Sequence, residues 1–452
     1  MRRRVVITGL GAVTPLGMGM PALWEGLVGG RSALGPMTRT DPSGFASRLG
    51  GEIPNFSAKD HVPKHYRKAV KVMARDTEIA VAAAKAAVED AGLVTRGTGD
   101  GTGAPTYPPE RFGCQIGSGL ISAETLELTM ALATAVGDGP ADHAGFDMRA
   151  WGGHEGSGGM NNLPPLWMLK YLPNMLACHV TIIHGAEGPS NTLTCAEASG
   201  LLCIGEGTRV IERHAADGCY CGGAEAKLML MGLCRLTFAE RLAPTGEETD
   251  GSRVVRPFDP GSAGSLLGEG GAIVVLESLE TATARGARVY AEVAGFGAAH
   301  SGPPLFAPLP APTQDACNEG LAFAIEAALA DAGIGPGEID AIVPQGLGAP
   351  AVDARELGAL RAVFGARLAE IPLVTLTPAI GDLFAGHGAV QAAVGAMCVR
   401  EQRLPARLHA GTPAPDARCG ADAARAAEVR HLLVTTASMG GQNAALVLRR
   451  AR

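Results

Sequence analysis

The chain has 452 residues, 46% hydrophobic and 18% charged, which is enough for two or three average domains or one large duplicated unit with a sizeable core. A net charge of -7 argues against the basic groove of a nucleic-acid binder, and an aromatic content of 4% argues against a base-stacking platform. The 63 glycines and frequent alanines point instead to backbones that approach closely in layered α/β packing.

The N-terminal stretch "MRRRVVITGLGAVTPLGMGM" has the outline of a signal peptide, basic then uncharged. Its β-branched Val5–Thr8, followed by Gly and Pro, reads as a strand and turn instead. The same stretch holds a Gly-x-Gly. A dinucleotide fingerprint needs a helix opening at a third glycine and an acid about twenty positions on. Pro15 and the spacing of Gly17 interrupt that pattern, and positions 25–35 offer only Glu25.

Next comes "DTEIAVAAAKAAVEDAGL" (76–93), an alanine-rich amphipathic helix whose closing glycine fits a C-cap. A Gly/Pro-rich surface loop (94–110) leads to a strand at "FGCQIGSG" (112–119). "GPSNTLTCAEASGLLCIGEG" (188–207) then runs into a helix of small, uncharged residues (196–213) with Glu197 at its head. "TCAE" is Thr-x-x-Glu, which predicts a capping box between Thr194 and Glu197 at the positive end of that helix. A strand follows at "GCYCGGAEA" (218–226). "LLGEGGAIVVLE" (266–277) lacks the Lys-Ser/Thr of a phosphate loop and reads as a tight turn entering a buried strand.

The second half repeats this order. "CNEGLAFAIEAALADAGI" (317–334) matches the first helix, "IDAIVPQGLG" (339–348) the strand after it, 386–400 the small-residue helix, and "HLLVTTASMGGQNAALVLRR" (431–450) the strand and Gly-Gly. Four elements in matched order imply an internal duplication, with mainly parallel sheets covered by helices. Segments 301–315 and 410–422 are Gly/Pro-rich loops. The sparsely charged stretch 373–399 carries Asp382, His387 and several turn residues, so it is no membrane span. His387 reads as a packing residue on a glycine-rich helix. Ten cysteines without metal spacing, two of them (Cys195 and Cys203) placed on one helix, suggest a reduced, cytoplasmic chain.

Several of these stretches together resemble one family. "RRVVITGLGAVTPLG", "LPNMLACHVTIIHGAEGPS", "ASGLLCIGEGTRVIERHAADGCYCGGAEA", "RPFDPGSAGSLLGEGGAIVVLE" and "GGQNAALVLRR" look like a β-ketoacyl-acyl-carrier-protein synthase of the thiolase superfamily, in family order over essentially the whole chain. The resemblance implies a duplicated five-layer αβαβα sandwich. Its N-terminal half would span 1–280, with dimerisation and cap insertions, and its C-terminal half 281–452. It also implies where the family's functional residues fall. The nucleophilic cysteine corresponds to Glu197, the histidine of a His-Gly-Thr motif to Gln345, the second histidine to Asp382, the lysine five residues before it to Thr377, and the gating phenylalanine to Met439.

Condensation needs a thiolate to take the acyl group and two imidazoles to stabilise the enolate formed as malonyl-carrier loses CO₂. A glutamate would give a readily hydrolysed mixed anhydride, and ionised Glu197 and Asp382 would repel the enolate. Decarboxylation alone still needs the imidazole pair. No residue is therefore catalytic by the family mechanism, and the chain most resembles the catalytically silent chain-length factors of type II polyketide synthases. Such factors often carry glutamine where this chain has Glu197. The resemblance implies an active ketosynthase as heterodimer partner and an acyl carrier protein whose phosphopantetheine bears the substrates. It implies no cofactor or metal of the chain's own, and no nucleic acid or membrane. Segment 166–190 would form the subunit interface. Met229 and Met231 would line the tunnel or interface, with core packing as the plainer alternative. Two other readings stand beside it: a stand-alone enzyme using Glu197 and Asp382 as an acid/base pair, and a structural homodimer that binds carrier protein.

Overall fold

A computed structural model describes residues 2–136, 145–153, 158–302, 316–408, 411–418 and 423–451. Parts of the expected loops 301–315 and 410–422 lie outside the described residues.

Strand Val5–Thr14 (β1) is followed by helix Arg75–Asp90 (α1), strand Phe112–Gly117 (β2), helix Ser199–Glu212 (α2) and strands Gly218–Ala226 (β3) and Leu267–Ser278 (β4). The second half runs Ala291–His300 (β5), Glu319–Ala332 (α3), Ala341–Val343 (β6), His387–Glu401 (α4), His431–Ala437 (β7) and Gln442–Arg449 (β8). The strands lie side by side in the order β6-β7-β8-β5-β1-β4-β3-β2. Each half therefore has the same arrangement, first-fourth-third-second, and each places its two helices at the same points of the chain.

The expectation of mainly parallel sheets is corrected here. β2 pairs parallel with β3, and β6 with β7, but β1–β4, β3–β4, β5–β8 and β7–β8 are antiparallel. The reason is visible at β7–β8. A four-residue turn joins them, and only antiparallel neighbours can be joined so briefly.

The layers follow from which faces are apolar. α1 covers β1, β3 and β4 on one outer face, and α3 covers β5 and β8 on the other. α2 and α4 lie against each other between the two halves of the sheet. Described this way, the chain is the thiolase-like αβαβα sandwich. Apart from Met397, α4 is buried from His387 to Val399, as expected of a helix of small residues with no charged face before Arg400.

Glycine and alanine make this stacking possible, and do so identically in both halves. A Cβ on Gly9 or Gly11 of β1 would sit 2.4 or 2.0 Å from the carbonyl oxygens of Ala87 and Ala83 in α1. On Gly295 or Gly297 of β5 it would sit 2.2 or 2.0 Å from those of Ala328 and Ala324 in α3. The two long helices also end alike, on Gly92 and Gly333 at φ 64° and 69°, a left-handed conformation that costs glycine little. At the centre, a Cβ on Gly200 would lie 2.6 Å from the carbonyl oxygen of Ala385, so α2 meets the start of α4 almost backbone to backbone.

Candidate functional site

The N-terminal ends of α2 and α4 meet between the two halves, and each is preceded by one short 3-10 turn, Ala196–Ala198 and Phe384–Gly386. Both turns begin on a non-glycine residue in the left-handed region, Ala196 at φ 46° and Phe384 at φ 47°. Each such residue costs roughly 1–2 kcal/mol, held here by the surrounding packing. The strained turn at Ala196 directs the next side chain, Glu197, inward.

Glu197 is 0% exposed. The capping box predicted from Thr194 does not form. Ser199 Oγ takes the local role, accepting from the Cys195 backbone at 2.8 Å. The Glu197 carboxylate turns away from its helix, and one oxygen accepts the backbone N–H of Met439 at 3.1 Å. The other lies 3.6 Å from the Arg241 guanidinium and has no hydrogen-bond partner among the described residues. Burial pushes the Glu197 carboxyl up from the usual range, while Arg241 and the N–H groups of Glu197 itself and Met439 pull it back. Cys195 precedes the helix that Cys203 lies on, so the expected pairing of the two on one helix does not hold.

Asp382 lies in the loop before α4 and is 4% exposed. Its carboxylate accepts the Phe384 N–H at 2.9 Å. Burial first, then the charge of Glu197, pushes Asp382 up to about 7. His387 opens α4 with its Nδ1 3.9 Å from Asp382, accepting the Leu383 N–H at 3.4 Å. Burial pushes His387 down to about 4, so it is neutral near pH 7 and balances no carboxylate.

Gln345 begins the loop after β6. Its side-chain oxygen accepts the Ala437 N–H at 3.0 Å, and its backbone carbonyl accepts the Thr377 hydroxyl at 3.2 Å. Two buried carboxylates hold this loop from below. Glu356 accepts from Gln345 and Gly346, and Asp353 from Leu347 and Gly348, at 2.8–3.0 Å. Gln391 of α4 donates to the carbonyls of Val343, Pro344 and Thr435, tying the ends of β6 and β7 to the same helix.

The structure thus gathers Glu197, Asp382, Gln345, Thr377 and the Met439 backbone around the turn between β7 and β8. The Met439 side chain itself is 41% exposed. Met229 and Met231 stand apart from this group. Met229 is half-buried at the start of helix Leu230–Phe238, and Met231 is exposed on it. That helix packs Leu233 and Leu236 into a cluster with Phe384 and Leu267.

Three charged residues of the site carried no sequence signal. Arg241 lies 44 positions beyond Glu197 in an unremarkable "AERLAP". Glu225 accepts the Ala385 N–H at 2.9 Å and pairs with Lys227, which also donates to the Leu120 carbonyl at 2.6 Å. The one clue available in the sequence was electrostatic: a buried glutamate beside a buried aspartate demands a cation from somewhere in the chain.

Comparison with known proteins places this geometry. The family model "Beta-ketoacyl synthase, N-terminal domain" matches residues 2–282, and "Beta-ketoacyl synthase, C-terminal domain" matches 290–411. The 3-oxoacyl-[acyl-carrier-protein] synthase 2 of Staphylococcus aureus (strain COL) is 31% identical over 453 residues, covering 99% of this chain and 98% of that protein. Among solved structures, the ishigamide ketosynthase/chain length factor superposes with a TM-score of 0.80 at 29% identity, covering 100% of both chains. A type II PKS acyl-carrier protein in complex with its ketosynthase bound to the hexaketide gives a TM-score of 0.81 at 22% identity, again over 100% of both chains, a likeness of fold. No helix among the described residues is long and apolar enough to cross a membrane.

Proposed function

The chain belongs to the β-ketoacyl synthase family, and on that premise we propose that it is a catalytically silent ketosynthase-like subunit, a chain-length factor. In this reading it pairs with an active ketosynthase in type II polyketide or fatty-acid-like elongation and shapes the acyl tunnel. The observation that carries the reading is Glu197, a fully buried, ion-paired carboxylate at the head of the central helix, where the family's thiol would stand. Among the described residues no neighbouring thiol replaces it. Cys195 is half-buried and its thiol is pushed up by burial, away from the thiolate that acyl transfer requires.

The surface supports a subunit partner. Leu126 is 88% exposed and Phe238 87%, with Leu120, Met130, Met168, Leu230 and Met231 also exposed. These residues lie on segments tied to one another. Lys170 and Tyr171 bond Glu127, and Lys227 bonds the Leu120 carbonyl. Large apolar side chains left open on a lone chain suit an interface core. A carrier protein, in this reading an acidic partner, finds a cationic face on the helical turn Lys64–Val72, where Lys64, Arg67, Lys68 and Lys71 are exposed.

One observation favours the alternative enzyme. Asp382, pushed up to about 7 by burial and by the charge of Glu197, lies near the pH at which acid/base chemistry operates. Both groups, however, are closed to solvent. Co-expression with an intact ketosynthase tests the proposal: a stable heterodimer that elongates malonyl-carrier, and a lone chain that does not, are the expected results. Elongation by the purified lone chain with a covalent acyl adduct would overturn it. Loss of turnover in an assembled pair carrying Glu197→Gln would favour the acid/base enzyme.

A further inference from the structure

The stretch between Ile53 and Arg75 is fastened at both ends by one buried carboxylate. Glu269 accepts the Ile53 N–H at 3.0 Å and the Arg75 guanidinium at 2.7 and 3.0 Å. In between, the backbone hydrogen bonds of residues 54–74 are all short-range, each within a single turn. Among the described residues no ion pair involves this stretch; the flanking pairs are those of Arg39 and Arg75. One side-chain hydrogen bond crosses from it to the rest of the protein, from Tyr66 Oη to His179 Nδ1 at 2.8 Å.

That bond lies in the middle of Lys64–Val72, a 3-10 segment of nine residues, where such helices usually stop after three or four. Three residues per turn put Tyr66, Ala69 and Val72 in one half-buried row and His65, Lys68 and Lys71 in an exposed one, with Lys64 and Arg67 also exposed. No residue of the segment is fully buried; its apolar anchors, Val62 and Met73, lie outside its two ends. His179 is the fixed side. It is 3% exposed on helix Met175–His184, which packs against α1, and its ring stands edge-on to Tyr66 with centroids 5.8 Å apart. Burial pushes the imidazole down to about 4 and the phenol upward, so near pH 7 the bond joins a neutral hydroxyl and a neutral ring.

We propose that the Tyr66–His179 bond is a single pin that positions the cationic segment Lys64–Val72 for an acidic partner, and that the segment is an arm that opens between its Val62 and Met73 anchors before the rest of the chain unfolds. Lys64, Arg67, Lys68 and Lys71 have no acid of their own to offset, which suits them to an anionic protein surface. That this surface is a carrier protein rests on the function proposed above; the pin and the arm do not. Tyr66 and His179 are positioning residues. His179 is covered by the chain and acts on a partner only through Tyr66 and the arm.

Amide exchange of the full chain, read by mass spectrometry, tests the pin. In the wild type, peptides over 62–73 should exchange faster than those over α1. Tyr66→Phe removes only the hydroxyl. It should speed exchange over 62–73 by a further factor of about three to ten and leave α1 unchanged. His179→Leu should do the same, and adding Tyr66→Phe to it should have no further effect. His179→Asn keeps a polar group near the Nδ1 position and should return exchange toward the wild-type rate. Unchanged exchange over 62–73 in Tyr66→Phe, or effects that simply add in the double variant, overturns the pin. Tyr66→Phe alone decides should His179→Leu fail to fold. Surface plasmon resonance against an acyl carrier protein at low salt tests the positioning. Tyr66→Phe and His179→Leu should each weaken binding about threefold or more, although neither alters a charge. Wild-type affinity in both overturns the positioning role. A wild type that binds no carrier protein overturns the carrier reading and the docking role with it, and amide exchange still decides the pin.

Discussion

Replacing Asp382 by asparagine should stabilise the protein, and more so as the pH rises. The carboxyl is buried, lies near Glu197, and is pushed from its ordinary 3.8 to about 7 in the folded chain. A folded value above the unfolded one means that the group favours folding when protonated. Its contribution is present in full below about pH 4 and is lost as the pH rises through about 7. At about 1.4 kcal/mol per tenfold change, the full loss is on the order of 4 kcal/mol, of which roughly 2–3 kcal/mol falls between pH 5 and pH 8. Asparagine keeps the shape and can still accept the Phe384 N–H that Asp382 accepts at 2.9 Å, so little else changes. With an unfolding entropy of about 2.1 cal/mol/K per residue, the gap in Tm between variant and wild type should widen by roughly 2–3 °C from pH 5 to pH 8. Differential scanning fluorimetry at half-unit pH steps and one scan rate measures it. Parallel curves for the two proteins, or a variant less stable than wild type at pH 8, would refute the electrostatic account of the site.

Other outcomes follow from particular contacts. Glu356→Ala strips acceptors from the N–H groups of Gln345 and Gly346 and from the Thr435 hydroxyl; three stranded donors should cost roughly 3–6 kcal/mol, read by guanidinium denaturation. Gly297→Val forces a side chain to within 2.0 Å of the Ala324 carbonyl and should cost at least about 3 kcal/mol, whereas Gly335→Ala, with nothing within 4 Å, should change the midpoint little. Charge reversal at Lys64, Lys68 and Lys71 should weaken binding to an acidic carrier protein about tenfold at low salt in surface plasmon resonance. The difference should vanish near 0.5 M salt, where surface charges are screened.

Much of the fold was legible because it depends on local pattern. The two alanine-rich helices, predicted over 76–93 and 317–334, form at Arg75–Asp90 and Glu319–Ala332, and each ends at the glycine that marks it. Strands predicted at 218–226 and within 431–450 form where alternation was absent and burial complete, as sheets covered on both faces require. Strand direction was not legible, because parallel and antiparallel buried strands share one composition. At β7–β8 it was set by the four-residue turn between two strands that share one apolar run in the sequence. The site divides the same way. The helix heads were visible, but the capping box between Thr194 and Glu197 was not realised. Tertiary partners, the Met439 N–H donor from the far end of the chain and the Arg241 cation from between, outcompeted the local bond. Local motifs are silent about partners 242 residues away.

The duplication itself explains why carboxylates can stand at this centre at all. Because the two halves are alike, their central helices approach the pseudo-symmetry axis with the same end, and that end is the N-terminus. Two positive helix ends and their unpaired N–H groups meet in a space sealed from water. Something must accept those hydrogen bonds. Asp382 takes the Phe384 N–H and Glu225 the Ala385 N–H, both in the turn that leads into α4, while Glu197 at the head of α2 reaches across to the Met439 N–H of the β7–β8 turn. An uncharged apolar residue at 197 would leave the Met439 N–H stranded, whereas a carboxylate satisfies it and brings a charge that Arg241 can offset. An acid at this position is thus compatible with the fold on physical grounds that require no chemical reaction there.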